Sequence, residues 1–195
     1  MKKLLLALLS GVLLAFSWPS IGIFPFIFIA FVPLLILEKE MVNSKHVFGY
    51  SFLTFFIFNV ITTYWIYHAT FFGAISAFFV NAILMAIVFW LFHKIKKSTS
   101  NRLGYFSFIV LWISMEYLHL NWDLSWPWLT LGNVFADSPL VFQWYEFTGF
   151  LGGSLWVILM NLLLFRVYKN TKKKSVILAS IFMLLIPISF SSYIY

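Results

Sequence analysis

Glu116 and His119 stand three residues apart in the run Ser114-Met115-Glu116-Tyr117-Leu118-His119. On a helix that spacing puts a carboxylate and an imidazole on one face. Glu-x-x-His is a ligand pair in helical-bundle metal sites, where further ligands complete the shell. The same pair could also serve an intramembrane hydrolase, and an ionisable side chain inside a membrane is a functional candidate by default. The other histidines are His46, His68 and His93, and His46 and His93 fall on the opposite surface by the topology given below. No metal and no other cofactor is therefore expected. Glu116 is expected to hydrogen-bond within the bundle or to the segment that follows it. The chain has no cysteine, so it offers no disulfide, no thiolate ligand and no Cys nucleophile.

Three amides, Asn59, Asn81 and Asn161, interrupt otherwise apolar runs. They are expected to bond across helices, at about 0.6 kcal/mol each, with substrate contact as the alternative. Gly149, Gly152, Gly153 and Ser154 are small enough to let a helix approach its neighbours closely.

The elements that must position these groups are membrane helices. The composition is 63% hydrophobic and 10% charged, with a mean hydropathy of +0.96. Residues 4–37, 46–93, 147–165 and 175–195 contain no Asp, Glu, Lys or Arg. Each stretch reaches the roughly 17–25 residues needed to cross the hydrocarbon layer. Backbone polar groups must be paired in lipid, and continuous apolarity without alternation excludes a barrel. The expected fold is an all-α polytopic bundle, one transmembrane domain over 1–195. Seven helices are expected at about 4–17, 22–37, 46–68, 71–93, 103–120, 153–168 and 175–195.

The net charge of +7 follows from topology rather than from nucleic acid. Lys2, Lys3, Lys39, Lys45, Lys94, Lys96, Lys97, Arg102, Arg166, Lys169, Lys172, Lys173 and Lys174 are all the bases in the chain. They fall at the N-terminus and in three alternate connections, so the positive-inside rule puts the N-terminus in the cytoplasm and Tyr195 outside. The cluster around Arg166 to Lys174 is expected to meet anionic headgroups. The connections from Glu38 to Lys45, Lys94 to Arg102 and Lys169 to Lys174 are expected to be solvated. Lys2-Lys3 and the following apolar run match two regions of a signal peptide, but no small-x-small site precedes Trp18-Pro19. The first run is therefore expected to stay attached.

Residues 121–152 form the long outer connection. They carry Trp122, Trp126, Trp128, Trp144 and Tyr145 among Asp123, Asp137 and Glu146. Indole rings settle at headgroup depth, so the segment is expected to lie in the outer interface, with a short amphipathic helix over Val141 to Phe150. Either it anchors the bundle as an aromatic belt, or it forms a floor for phospholipid and for a domain resting on it. Trp126 and Trp128 beside Pro127 are the best lipid contacts, with Gln143, Trp144 and Tyr145 further along.

Pro127-Trp128-Leu129, Gly132, Pro139-Leu140, Gln143, Gly149, Gly152-Gly153-Ser154 and Asn161 resemble the outer segment and following helix of apolipoprotein N-acyltransferases. Pro19, Gly22, Pro25-Phe26, Pro33-Leu34-Leu35 and Tyr64-Trp65-Ile66 fit the same family, and the order and spacing match over essentially the whole chain. The resemblance implies a bacterial inner-membrane enzyme that moves an acyl chain from phospholipid to the N-terminal diacylglyceryl-cysteine of a lipoprotein. It also implies a periplasmic nitrilase-like domain with a Glu-Lys-Cys triad after the seventh span. This sequence ends where that domain would begin and has no cysteine, so no triad residue carries over and the chain alone is expected to be inactive. A small transporter or channel is the reading from another class. It would call for charges inside the bundle or helices broken in two matching halves.

Overall fold

The structure, a computed structural model, describes residues 1–123, 125, 127–170 and 173–195. Every regular element among them is helical. Lys2–Ser17 form α1, 16 residues, about 24 Å at 1.5 Å per residue. It stops at Trp18, extended at φ −69° and ψ 148°, because Pro19 excludes the helical region for the residue before it.

The apolar run expected as one helix over 22–37 is divided. A 3-10 turn at Phe24–Phe28 precedes α2, Val32–Lys39, and each has a proline in its first turn. Pro25 and Pro33 are tolerated there because a first-turn N–H has no helical partner anyway. Each nevertheless denies the preceding turn a donor.

Asn43 caps α3, Ser44–Thr63, by accepting the Lys45 N–H at 2.9 Å, and a 3-10 turn at Tyr64–His68 extends it. Thr70 caps α4, Phe71–Ser98, which continues past the expected end at 93 through the lysines. Ser100 caps α5, Asn101–Leu120. Two 3-10 turns, Pro127–Leu129 and Leu131–Phe135, lead to the one-turn α6, Pro139–Phe142. The helix expected at 153–168 begins earlier, as α7, Tyr145–Lys169, and kinks at Gly149. The short helix expected over Val141 to Phe150 is thus shared between α6 and the start of α7. Lys174–Ile194 form α8.

Among the described residues five helices are long and apolar enough to cross a membrane: Ser44–His68, Phe71–Ser98, Asn101–Leu120, Tyr145–Lys169 and Lys174–Ile194. The chain is a multi-pass membrane protein by this count alone. The core sits where α3 meets α1 and α4, α4 meets α5, and α7 meets α5 and α2. Its centre is aromatic. Phe31 meets Trp112 edge-on at 5.1 Å and 88°, and Phe89 meets Phe108 at 5.6 Å and 86°, the arrangement ring quadrupoles favour. In lipid such packing replaces the hydrophobic effect as the force between helices.

The bundle has a basic end and an aromatic end. At the basic end Lys2 Nζ donates to Glu40 at 2.7 Å, and Glu38 accepts from His93 and Lys96. At the aromatic end the Gln143 N–H donates to Ser191 Oγ at 2.7 Å, and Phe147 meets Phe190 at 6.0 Å. The first and last helical turns of the chain therefore lie at opposite ends.

Candidate functional site at the aromatic end

The aromatic end is closed by the connection between α5 and α7, and Glu116 is the residue that fastens it. Glu116 is buried, and its Oε1 accepts Trp112 Nε1–H from its own helix and the Leu131 N–H from the connection, both at 2.9 Å. Its Oε2 makes no hydrogen bond of ordinary geometry among the described residues. The Ser154 hydroxyl accepts the Gly132 N–H at 2.9 Å, and the Tyr145 hydroxyl donates to Gly132 C=O at 2.8 Å. The two N–H groups that open the Leu131–Phe135 turn would have no helical partner. Here one goes to a carboxylate on α5 and the other to a hydroxyl on α7.

Gly132 is required by contact rather than by torsion. A Cβ there would stand 1.9 Å from the Phe150 carbonyl oxygen. Leu129, Leu131, Val134 and Phe135 are consequently buried, so the middle of the connection is plugged into the bundle and only its flanks stay at the surface. Trp128 on one flank is 55% exposed and meets Trp65 at 6.4 Å, and Asn133 Nδ2 holds the Pro127 carbonyl at 2.9 Å. Trp122 is exposed and packs on His119 at 5.2 Å. Trp144 is buried, with Nε1–H on Val141 C=O and its ring edge-on to Trp156. Gln143 spends its side chain on the Pro139 carbonyl at 3.2 Å. Trp126 lies outside the described residues.

Two open cavities reach this end. One, about 350 Å³, is lined by Gly73, Ala77, Val80, Asn81, His119 and Ser125. The other, about 500 Å³, runs between α4 and α5 and is lined by Leu84, Ile87, Leu111, Met115, His119 and Trp122. His119 lines both, and neither of its ring nitrogens has a partner among the described residues. Glu116 and His119 therefore serve different surroundings, one the buried clasp and the other the cavities. Among the described residues no three His, Asp or Glu side chains gather into a metal-ligating group.

The intramembrane amides are placed as follows. Asn81 Nδ2 donates to Asn59 Oδ1 at 2.7 Å, joining α4 to α3, and Asn59 Nδ2 donates to Phe55 C=O at 2.8 Å. Asn161 Nδ2 donates to Ile27 C=O and its Oδ1 accepts the Phe31 N–H, each at 2.8 Å. The clasp by Ser154 and Tyr145 escaped sequence reasoning. Its one signal was the pair Gly132 and Gly153, which face each other: a Cβ at Gly153 would stand 3.0 Å from Gly132 Cα and 1.6 Å from the Tyr145 hydroxyl. Glu38, expected to be solvated, is 3% exposed. Its partners His93 and Lys96 come from α4, a different part of the sequence.

Membrane-capable helices around an aromatic core, capped at one end by a folded-in connection, define a polytopic membrane domain. Residues 10–163 match the family model of the apolipoprotein N-acyltransferase N-terminal domain, and the chain belongs to that family. It is 29% identical over 191 residues to an apolipoprotein N-acyltransferase of Chlorobaculum tepidum, covering 96% of this chain and 36% of that protein. It is 32% identical over 183 residues to one of Geobacter metallireducens, covering 87% of this chain and 34% of that protein. The chain thus spans about a third of the length of these relatives.

Proposed function

We propose that this chain is the membrane-embedded part of a lipoprotein N-acyltransferase of the bacterial inner membrane. It presents a phospholipid acyl donor at its aromatic end and supports a catalytic domain there, to which the lipoprotein comes. The observation that carries the reading is the pair of cavities flanking His119 at the end closed by the Glu116 clasp, in a chain of this family. Apolar walls along α4 and α5 suit acyl chains. Trp122, which lines one cavity, and the exposed Trp65 and Trp128 suit headgroup depth.

In this reading α1 and the Phe24–Lys39 stretch form a short pair that makes the crossings seven. The N-terminus is cytoplasmic and Tyr195 periplasmic. The positive-inside pattern supports that orientation, as do the opposite positions of Lys2 and Ser191. Acyl transfer through a thioester needs a thiolate. With no Cys in these residues, that step belongs to another part of the enzyme, while this part supplies lipid and a platform.

A phospholipid carrying a photoreactive group in its acyl chain tests the reading in nanodiscs. Adducts should concentrate on α4 and α5 peptides lining the His119 cavities. Adducts spread evenly over all exposed helices, with no excess there, would remove the donor-binding role.

A further inference from the structure

At the basic end, away from the donor cavities, a buried carboxylate organises a second site. Glu38 lies near the end of α2 and is 3% exposed. Its Oε1 is 2.8 Å from His93 Nδ1, and its Oε2 takes Lys96 Nζ. A carboxylate removed from water needs such partners. An ionised carboxylate only accepts, so Nδ1 carries the hydrogen and Nε2 is the ring's free position. His93 is 3% exposed, and its Nε2 has no partner among the described residues.

His93 lines a cavity of about 380 Å³ together with Glu38, Lys96 and Lys169. A neighbouring cavity of about 460 Å³ is lined by Arg102, Arg166 and Lys169, so Lys169 belongs to both. None of Arg102, Arg166 and Lys169 makes an ion pair among the described residues. The acids at this end, Glu38 and Glu40, are already taken by His93, Lys96 and Lys2. Arg102, Arg166 and Lys169 converge from α5 and α7 beside a buried imidazole with a vacant nitrogen, while Lys39 and Lys97 also line the first cavity and Lys173 the second. Guanidinium forks match phosphate oxygens, and the free imidazole nitrogen can bond a hydroxyl in either protonation state, accepting its hydrogen when the ring is neutral and donating one when it is protonated.

We propose that these adjoining cavities bind a phosphate ester. Arg102, Arg166 and Lys169 take the phosphate oxygens, and His93 Nε2 meets a hydroxyl of the same ligand. An anionic phospholipid headgroup and a soluble phosphate ester share this chemistry. The site is independent of the donor-lipid reading, because it lies at the other end of the bundle.

Native mass spectrometry of the purified chain with added phosphatidylglycerol or phosphatidylcholine tests it, with glycerol 3-phosphate as the soluble competitor. Phosphatidylglycerol should be retained about tenfold more than phosphatidylcholine. The triple variant R102Q/R166Q/K169Q should lose that preference. The triple variant K3Q/K45Q/K94Q, with the same charge change outside the cavities, should keep it, and K169R should keep it too. His93→Ala should weaken retention of phosphatidylglycerol while leaving that of a headgroup without hydroxyls unchanged. Displacement by glycerol 3-phosphate assigns the site to phosphate esters generally, and resistance to it assigns the site to the lipid. Equal retention of both lipids, or equal loss in the two triple variants, would overturn the proposal. Should R102Q/R166Q/K169Q fail to fold, K169Q alone is read against K94Q by the same criterion.

Discussion

Asn161 Oδ1 accepts the backbone N–H of Phe31 at 2.8 Å, across 130 residues of sequence. In an unbroken helix that N–H would bond to the carbonyl of Ile27 four residues earlier. Asn161 takes that carbonyl as well, through Nδ2 at 2.8 Å. One buried carboxamide thus fills the gap in the ladder between the Phe24–Phe28 turn and α2. Irregular backbone survives at membrane depth only where protein pairs it, and α7 supplies the pairing.

Asn161→Leu should strand the Phe31 N–H and leave Ile27 C=O with only the 3.4 Å bond from the Ala30 N–H, at a cost of about 2–3 kcal/mol. Asn81→Leu strands a single side-chain acceptor, Asn59 Oδ1, and should cost less, about 1 kcal/mol. Thermal unfolding in detergent orders the two. Equal losses would mean that the divided segment is not held by Asn161.

Glycines at the clasp should fail for different reasons. At Gly132 the obstacle is the Phe150 backbone, which cannot step aside, so Gly132→Ala should cost about 1–3 kcal/mol and Gly132→Val more. At Gly149 a Cβ would meet nothing within 4 Å, but φ is +64° with ψ −179°, a region nearly restricted to glycine. Gly149→Ala and Gly149→Val should therefore destabilise similarly, by about 1–3 kcal/mol. Unfolding midpoints of the four variants would separate a size-dependent from a size-independent effect.

Reporter fusions should find Lys97 in the cytoplasm and Tyr195 in the periplasm. The expectation rests on the bases gathering at one end and on Lys2 and Ser191 lying at opposite ends. Finding both fusions in one compartment would break the proposed seven-crossing topology.

The long helices were legible because sustained apolarity over α3, α4, α5 and α8 suffices to specify a span. The break within residues 22–37 was not, although Pro25 and Pro33 were in view, because uniform apolarity hides a change of backbone. The partner of Asn161 was equally hidden. It is a pair of main-chain groups, which leave no mark in side-chain chemistry. Glu38 was read as solvated because a charge beside Lys39 at a helix end usually is, and nothing local announces His93 and Lys96 from α4. Gly152 and Gly153 were read as allowing close helix approach and do make close contacts, but the early start of α7 was hidden by the polar and aromatic residues before them, and nothing local announced the kink at Gly149. Glu116, expected to find its partners in the bundle or the outer connection, has Trp112 in one and Leu131 in the other.

The most direct test replaces the N-terminal third of the Geobacter metallireducens relative with residues 1–195 of this chain. The chimera is purified from membranes, and a diacylated lipopeptide is assayed with phospholipid by mass spectrometry. A membrane domain of this family should yield triacylated product, heavier by one fatty acyl chain, while residues 1–195 alone yield none. A chimera that inserts and folds as the parent does, yet leaves the lipopeptide diacylated while the parent converts it, would contradict the assignment.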